Sequence, residues 1–340
     1  MPTGDDVAAL ADWAELRVLT VDGDGVSTSR LEQLLRGEGS DAAEEELALD
    51  AADDAEETEL ELVDEGRGER EMRIEQLLDE VALRLRVGPR LYPFEHQDER
   101  LIRRDAPGSE VYVFLLTLSS EDASFRSERR AHEVEAAFDN LALEALRRYL
   151  GRGAGGIRFA RNAHDPNDNA TRPKKFQEAI EWLRGQLVLP PGMKEPPDEE
   201  LLIHWEEDAN AAHPPLNSYS DAGVDVVAWW RFADDRAGAP VLLAQCTVQI
   251  QWGDKAKDID VELWKKWIDF ETVPPQTALV IPFAVSRGLE QWANRTVTAG
   301  VIIDRLRLLE LLNELPEDEL EAIPDAATRE WVATELASLA

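Results

Sequence analysis

Residues 220–257, SDAGVDVVAWWRFADDRAGAPVLLAQCTVQIQWGDKAK, gather the strongest candidates for chemistry in the chain. Two apolar runs, GVDVVAWW and PVLLAQCTVQIQW, flank a polar turn, ADDRAGA, and such runs pair as an antiparallel hairpin. Asp225 opens the first run and Gln245 sits inside the second. Pairing brings a carboxylate and an amide oxygen to one point. Oxygen ligands of this kind suit Mg²⁺, which keeps several of its waters. The backbone carbonyl of Cys246 offers a third oxygen. Lys255 and Lys257 follow closely. A lysine beside a phosphate offsets its charge and orients or deprotonates an attacking water. The competing reading is structural: Asp225 caps a strand and Gln245 satisfies a buried backbone group.

Asp-Ala-Gly-Val-Asp-Val-Val (221–227), a loop and Leu-Leu-Ala-Gln-Cys-Thr (242–247) resemble the core of the PD-(D/E)XK nucleases, in their Mrr-like restriction-endonuclease branch. That branch carries a Gly-x-Asp strand, a variable turn and a Gln-x-Lys strand. The resemblance covers roughly residues 127–285. It implies that Asp225 is the metal-binding Asp and that Gln245 is the Gln replacing the usual acid. The lysine of the pattern falls at Thr247, which departs from it. Some members of this superfamily supply the lysine from the following helix, which makes Lys257 the first choice here and Lys255 the second. The family also places an acid on a helix before the core strands. Asp139 in AAFDNLALEALRRYLG, with Glu144 nearby, competes for that role with Glu178 and Glu181 in KKFQEAIEWL.

The resemblance implies an Mg²⁺- (or Mn²⁺-) dependent DNA endonuclease acting in prokaryotic defence against foreign DNA. The partners it suggests are DNA, a partner protein of a defence system and a second copy of the chain. The alternative is a catalytically inactive module that kept the fold and lost the lysine, an acidic regulatory protein that binds a basic partner or mimics DNA.

These residues need a scaffold. Strands alternating with helices from about 108 to 315 indicate an α/β domain, a mixed sheet flanked by helices. Residues 69–87 have helical spacing, with Ile74, Leu77, Leu78, Val81 and Leu85 on one face. GPRLYPFEHQDERLIRRD reads as extended chain around a turn. EVYVFLLTLS (110–119) reads as a buried strand. Helices are expected over 127–150, 172–187 and roughly 256–269, a short strand or helix over 200–208, and a strand over 277–285. Residues 300–315 read as a strand running into a helix, and a closing helix is capped near Asp325. At the N-terminus, VAALADWAELRVLTV precedes a DGDG turn and a helix capped by Ser27 or Ser29. The resulting plan has a mostly helical unit at 1–37, an acidic flexible linker at 38–66 and a helix-plus-hairpin connector at 67–107. The nuclease-like domain follows at 108–315, then a C-terminal helix at 316–340.

Composition narrows the partners. The formal net charge of -34 argues against a generally basic nucleic-acid-binding surface. Residues 1–80 hold 26 Asp/Glu and 6 Arg, and 41–65 contain no Lys or Arg. An arm of that charge can block a nucleic-acid groove until displaced. The local basic residues Arg172, Lys174, Lys175, Lys255, Lys257, Lys265 and Lys266 can instead form a phosphate track within an acidic chain. Cys246 is the single cysteine, so neither an internal disulfide nor a Cys-rich zinc site is available. The five histidines show no HxH or HExxH spacing. The apolar surroundings of Cys246 favour a core residue over a nucleophile. DGDGVS lacks most of a calcium loop, and GRGAGG lacks the Gly-Lys-Ser/Thr of a phosphate cradle. Asp304-Arg305 reads as an internal ion pair. With no signal peptide and no long apolar run, the expected location is cytoplasmic, without a membrane partner.

Overall fold

A computed structural model describes residues 6–21, 25–37, 56–120, 131–163, 171–188, 220–233, 238–268, 270, 273–286 and 292–339. Helix α1 (Val7–Thr20) begins at Asp6, whose carboxylate accepts the N–H groups of Ala8 and Ala9 at 3.0 and 3.2 Å. A short strand, β1 (Val26–Ser27), leads into α2 (Thr28–Gly37). Ser27 is the cap, its hydroxyl accepting the Arg30 N–H at 3.2 Å. Helix α3 spans Glu56–Val87, so helix reaches well into the segment expected to be a flexible linker. Glu and Leu are good helix formers, and charge content alone does not reveal that. Residues 22–24 of the DGDG turn and residues 38–55 lie outside the described residues. Strands β2 (Phe94–Gln97) and β3 (Arg100–Arg103) form the expected hairpin. Its two turn residues, Asp98 and Glu99, both have positive φ (49° and 58°), which matches the strand twist. With β1 they make a three-stranded sheet, β1-β3-β2.

The expected strand over 110–119 is instead helix α4 (Ser109–Ser119), with every side chain from Val111 to Leu118 buried. A segment buried on all sides has neither a two-residue nor a 3.6-residue alternation, so its apolar run does not distinguish strand from helix. Helix α5 (Ala131–Leu150) is amphipathic, as its spacing indicates.

The second half of the chain builds a five-stranded mixed sheet from β4 (Gly155–Arg158), β5 (Val226–Trp229), β6 (Val241–Cys246), β7 (Gln276–Val280) and β8 (Val301–Ile303), in that order. The first three strands are antiparallel and the last three parallel. Strand alternation sorts the side chains. Val226, Ala228, Leu242 and Ala244 join one core with α5, while Val227, Trp229 and Leu243 join another. The second core contains α6 (Phe176–Val188) and the indoles of Trp264 and Trp267, which meet Phe176 edge to face. The expected helix over 256–269 is broken into a 3₁₀ turn, Trp252–Lys257, and a short helix α7 (Val261–Trp264). Helix α8 (Trp292–Ala299) follows β7. Residues 200–208 lie outside the described residues.

The N-terminal segment is not separate from this core. Leu10, Ala14 and Val18 of α1 share one apolar cluster with α4, α5 and the sheet. A buried polar clasp reinforces the contact. Arg84 donates to Asp12 at 2.6 Å and Glu15 at 2.9 Å, and Arg305 donates to both Asp12 oxygens at 2.9 and 2.6 Å. Tyr92 and Tyr112 donate to Glu15 at 2.6 and 2.5 Å. Arg305 opens α9 (Arg305–Leu312). The expected Asp304–Arg305 pair is therefore divided between two jobs. Asp304 caps the helix through the Arg307 N–H at 3.1 Å, and Arg305 reaches Asp12. Two helices close the chain, α10 (Glu317–Glu321) and α11 (Ala326–Leu339), the latter capped by Asp325 as expected. Among the described residues, no helix is long and apolar enough to cross a membrane.

Candidate functional site

The hairpin forms as its sequence indicates. The register Val226↔Ala244 sets Asp225, just before β5, opposite Gln245 near the end of β6. The backbone of Asp225 is fixed from both sides. Its N–H donates to the Ala244 carbonyl at 2.8 Å, and its own carbonyl accepts from Phe159 and Ala160 at 2.6 and 2.9 Å. Its side chain accepts the Cys246 N–H at 2.8 Å. The chain enters through Ala222 and Gly223, both at positive φ (51° and 78°). A Cβ on Gly223 would run into the Asp258 carbonyl, so glycine lets the segment after β6 close over the loop before β5.

Gln245 is buried, and its two amide atoms have different fates. Nε2 donates to Asp258 Oδ2 at 3.0 Å, and Lys255 Nζ donates to the same oxygen at 3.0 Å. Oε1 is buried with no hydrogen-bond partner. An unmatched buried acceptor costs about 1–3 kcal/mol. Asp258 therefore holds the amide with its oxygen left over.

Asp139 comes from α5 on the other side of the sheet. Burial pushes its carboxyl up to about 7, with Arg158, at 3.5 Å, pulling down and Glu135 adding to the rise. Burial likewise pushes Asp225 well above the usual carboxylate range. Asp139 adds to that rise, against the Cys246 N–H. Burial and these two acids raise the Cys246 thiol, which hydrogen-bonds Asp139 as a neutral group. Both carboxyls are thus favoured in their neutral form, and Arg158 is the cation that counters this at Asp139.

These groups line one cavity of about 850 Å³ past the end of β6: Asp139, Asp225, Gln245, Cys246 and Lys255 converge there, with Thr247 at the position where the resemblance expects a lysine. Lys257, the first choice for the reactive lysine, lines a different and smaller cleft with Arg295. Glu178 is exposed and pairs with Lys175 at 2.6 Å, away from the cavity lining. Glu144 pairs with Arg147 at 2.7 Å. The cavity lining also contains Glu135, Arg161, Asp221 and Asp258, which sequence reasoning missed. Two of them carried a signal. Glu135 precedes Asp139 by four residues on one helical face, and Asp258 follows Lys255 at the three-residue spacing of a tight turn. Arg161 carried none.

Among the described residues, no three His, Cys, Asp or Glu side chains form a metal-holding group. The donors present are two carboxylates and an amide oxygen. That set fits a hard cation that keeps water ligands better than it fits a closed cage. Gln245, whose buried Oε1 has no hydrogen-bond partner, lines the same cavity as the two acids, which agrees with it. No family model, curated protein or solved structure matches the chain.

Proposed function

We propose that the protein is an Mg²⁺- or Mn²⁺-dependent nuclease that hydrolyses phosphodiester bonds of DNA in the cavity at the end of β6. The observation that carries this reading is the meeting of Asp139, Asp225 and Gln245 in the lining of one cavity with Lys255. Asp225, Gln245 and Asp139 would hold the cation, and the Cys246 carbonyl belongs to the same lining. When bound, the cation offsets phosphate charge and makes a coordinated water more acidic. Lys255 stands in for the lysine missing at Thr247. Asp258 keeps its ammonium at the cavity, where it offsets the charge that develops on the phosphoryl oxygens. Arg161 lines the same cavity as an exposed cation for the incoming phosphodiester. A setting in defence against foreign DNA, with a partner protein, rests on the Mrr-like resemblance of residues 221–247.

A second reading has one observation of its own. Lys255 is already engaged by Asp258, as in an inert module that kept the fold and binds without cutting. Plasmid cleavage with Mg²⁺ or Mn²⁺ separates the two. Wild type is expected to cut, and Asp225→Asn and Lys255→Ala to lose about 100-fold or more in rate. Intact plasmid, single-stranded and modified DNA after incubation with the wild type would abandon the nuclease for the module.

A further inference from the structure

The 3₁₀ turn Trp252–Lys257 separates two recesses. Lys255 lines the large cavity. Two residues on, Lys257 lines a cleft of about 270 Å³ with Arg295, Asn294 and Thr298 of α8. The cleft is built rather than incidental. The Arg295 guanidinium lies 4.4 Å from the centre of the Trp252 ring, and that indole is itself buried with Leu279, Ile281 and Ile302. Gly253 leaves the space that the guanidinium fills, since a Cβ there would collide with it.

The charge of the cleft runs against that of the chain. The protein has 70 Asp and Glu to 36 Lys and Arg. Even so, neither Lys257 nor Arg295 makes an ion pair with any described residue. The nearest acids in sequence to Lys257 are Asp254 and Asp258, and the nearest to Arg295, Glu290, lies outside the described residues. Neither Asp254 nor Asp258 lines the cleft, and the latter is taken by Gln245 and Lys255. Asn294 and Thr298 add uncharged polar groups from the same helix face. Two cations without ion-pair partners among the described residues, with polar neighbours and one over an aromatic ring, suit a phosphate oxyanion. The cleft and the cavity share one turn of chain, which suits consecutive phosphates of one strand.

We propose that Lys257 and Arg295 bind the backbone phosphates of a nucleic-acid strand outside the reaction cavity. The proposal rests on the nuclease reading for the choice of nucleic acid over other phosphates. It makes Lys257 a binding residue and removes it from the chemistry. Gly253 and Trp252 are positioning residues, because they fix where the Arg295 guanidinium lies.

The test reads binding without cleavage. Fluorescence anisotropy of labelled single-stranded and duplex oligonucleotides is measured in EDTA over a range of salt, for wild type, Lys257→Ala, Arg295→Gln and the double variant. Circular dichroism checks each fold. Gly253→Ala is the companion variant, since it displaces the guanidinium while keeping every charge. The double variant is expected to lose about tenfold or more in affinity, and its log K against log salt to flatten by about 1 for each phosphate contact removed. Gly253→Ala should weaken binding in the same direction. Folded variants that bind with wild-type affinity and salt slope overturn the proposal. So does a wild type that binds no oligonucleotide, and so does one that binds only inorganic phosphate, added alone as a separate probe. Salt-dependent binding that needs both cations, from a wild type that never cuts, supports the cleft and removes the nuclease reading. Normal cutting with unchanged binding in the double variant does the reverse.

Discussion

At the scale of single residues, the raised carboxyls of Asp139 and Asp225 make the site sensitive to protons. Burial holds both above their ordinary range, with Glu135 adding to the rise at Asp139 and Asp139 adding to the rise at Asp225. The folded protein therefore binds protons that the unfolded chain has released. Stability from this source is fully present below the unfolded carboxylate value near 4 and is lost as the pH rises through about 7, the value for Asp139. A divalent cation bound as the proposed function requires would take the place of those protons. In EDTA, the thermal midpoint should fall between pH 5 and pH 8 more steeply for the wild type than for Asp139→Asn. Millimolar Mg²⁺ should raise it by several degrees at pH 8 and by much less at pH 5. Scanning fluorimetry at the two pH values checks this, and an equal Mg²⁺ effect at both would contradict it. The acids were legible in the sequence to different degrees. Asp225 and Gln245 were found because a hairpin pattern put them together. Asp139 was one of four acids on two competing helices, since its approach depends on how α5 crosses the sheet, and no local spacing records that.

At the scale of elements, the site depends on tight segments. Gly223 lies at positive φ and passes close to the Asp258 carbonyl. Gly223→Ala adds both backbone strain and a collision, and should destabilise the protein by about 1–3 kcal/mol. Because Asp258 holds Gln245 and Lys255, the same change should lower cleavage more than stability predicts. Urea denaturation and cleavage rates measured side by side check this; loss of stability with full activity would mean that Asp258 does not position the site. Segments of this kind also mark where sequence reading failed. Strands β5 and β6 were readable because one face of each meets a different core. Helix α4 was not, because it is apolar all round. The choice between Lys255 and Lys257 turned on a 3₁₀ turn standing where a longer helix was expected. In a 3₁₀ turn residues three apart eclipse, which pairs Lys255 with Asp258, while Lys257 points elsewhere.

At the scale of the whole molecule, the acidic composition gives the sum of the charge and not its local arrangement. It argued against a generally basic surface, yet Lys257 and Arg295 stand together without acidic partners among the described residues. Composition also suggested an N-terminal unit apart from the sheet, whereas the buried clasp of Asp12, Glu15, Arg84 and Arg305 joins them. Asp12→Ala leaves two buried guanidiniums with Glu15 and Glu80 as their nearby carboxylates. It should cost about 3–5 kcal/mol, read by urea denaturation, and a loss under about 1 kcal/mol would show that the clasp contributes little. Asp12 and Arg305 are 293 residues apart in the chain. During synthesis on the ribosome, α1 and α3 emerge long before Arg305. Until then Asp12 and Glu15 must share Arg84, and α1 lacks half of the charge that compensates its burial. The residues of the cavity, from Glu135 to Asp258, are all made earlier than that. Their scaffold is locked only after residue 305 is available, so a stalled or truncated nascent chain would carry the cavity residues without the closed core that holds them in place.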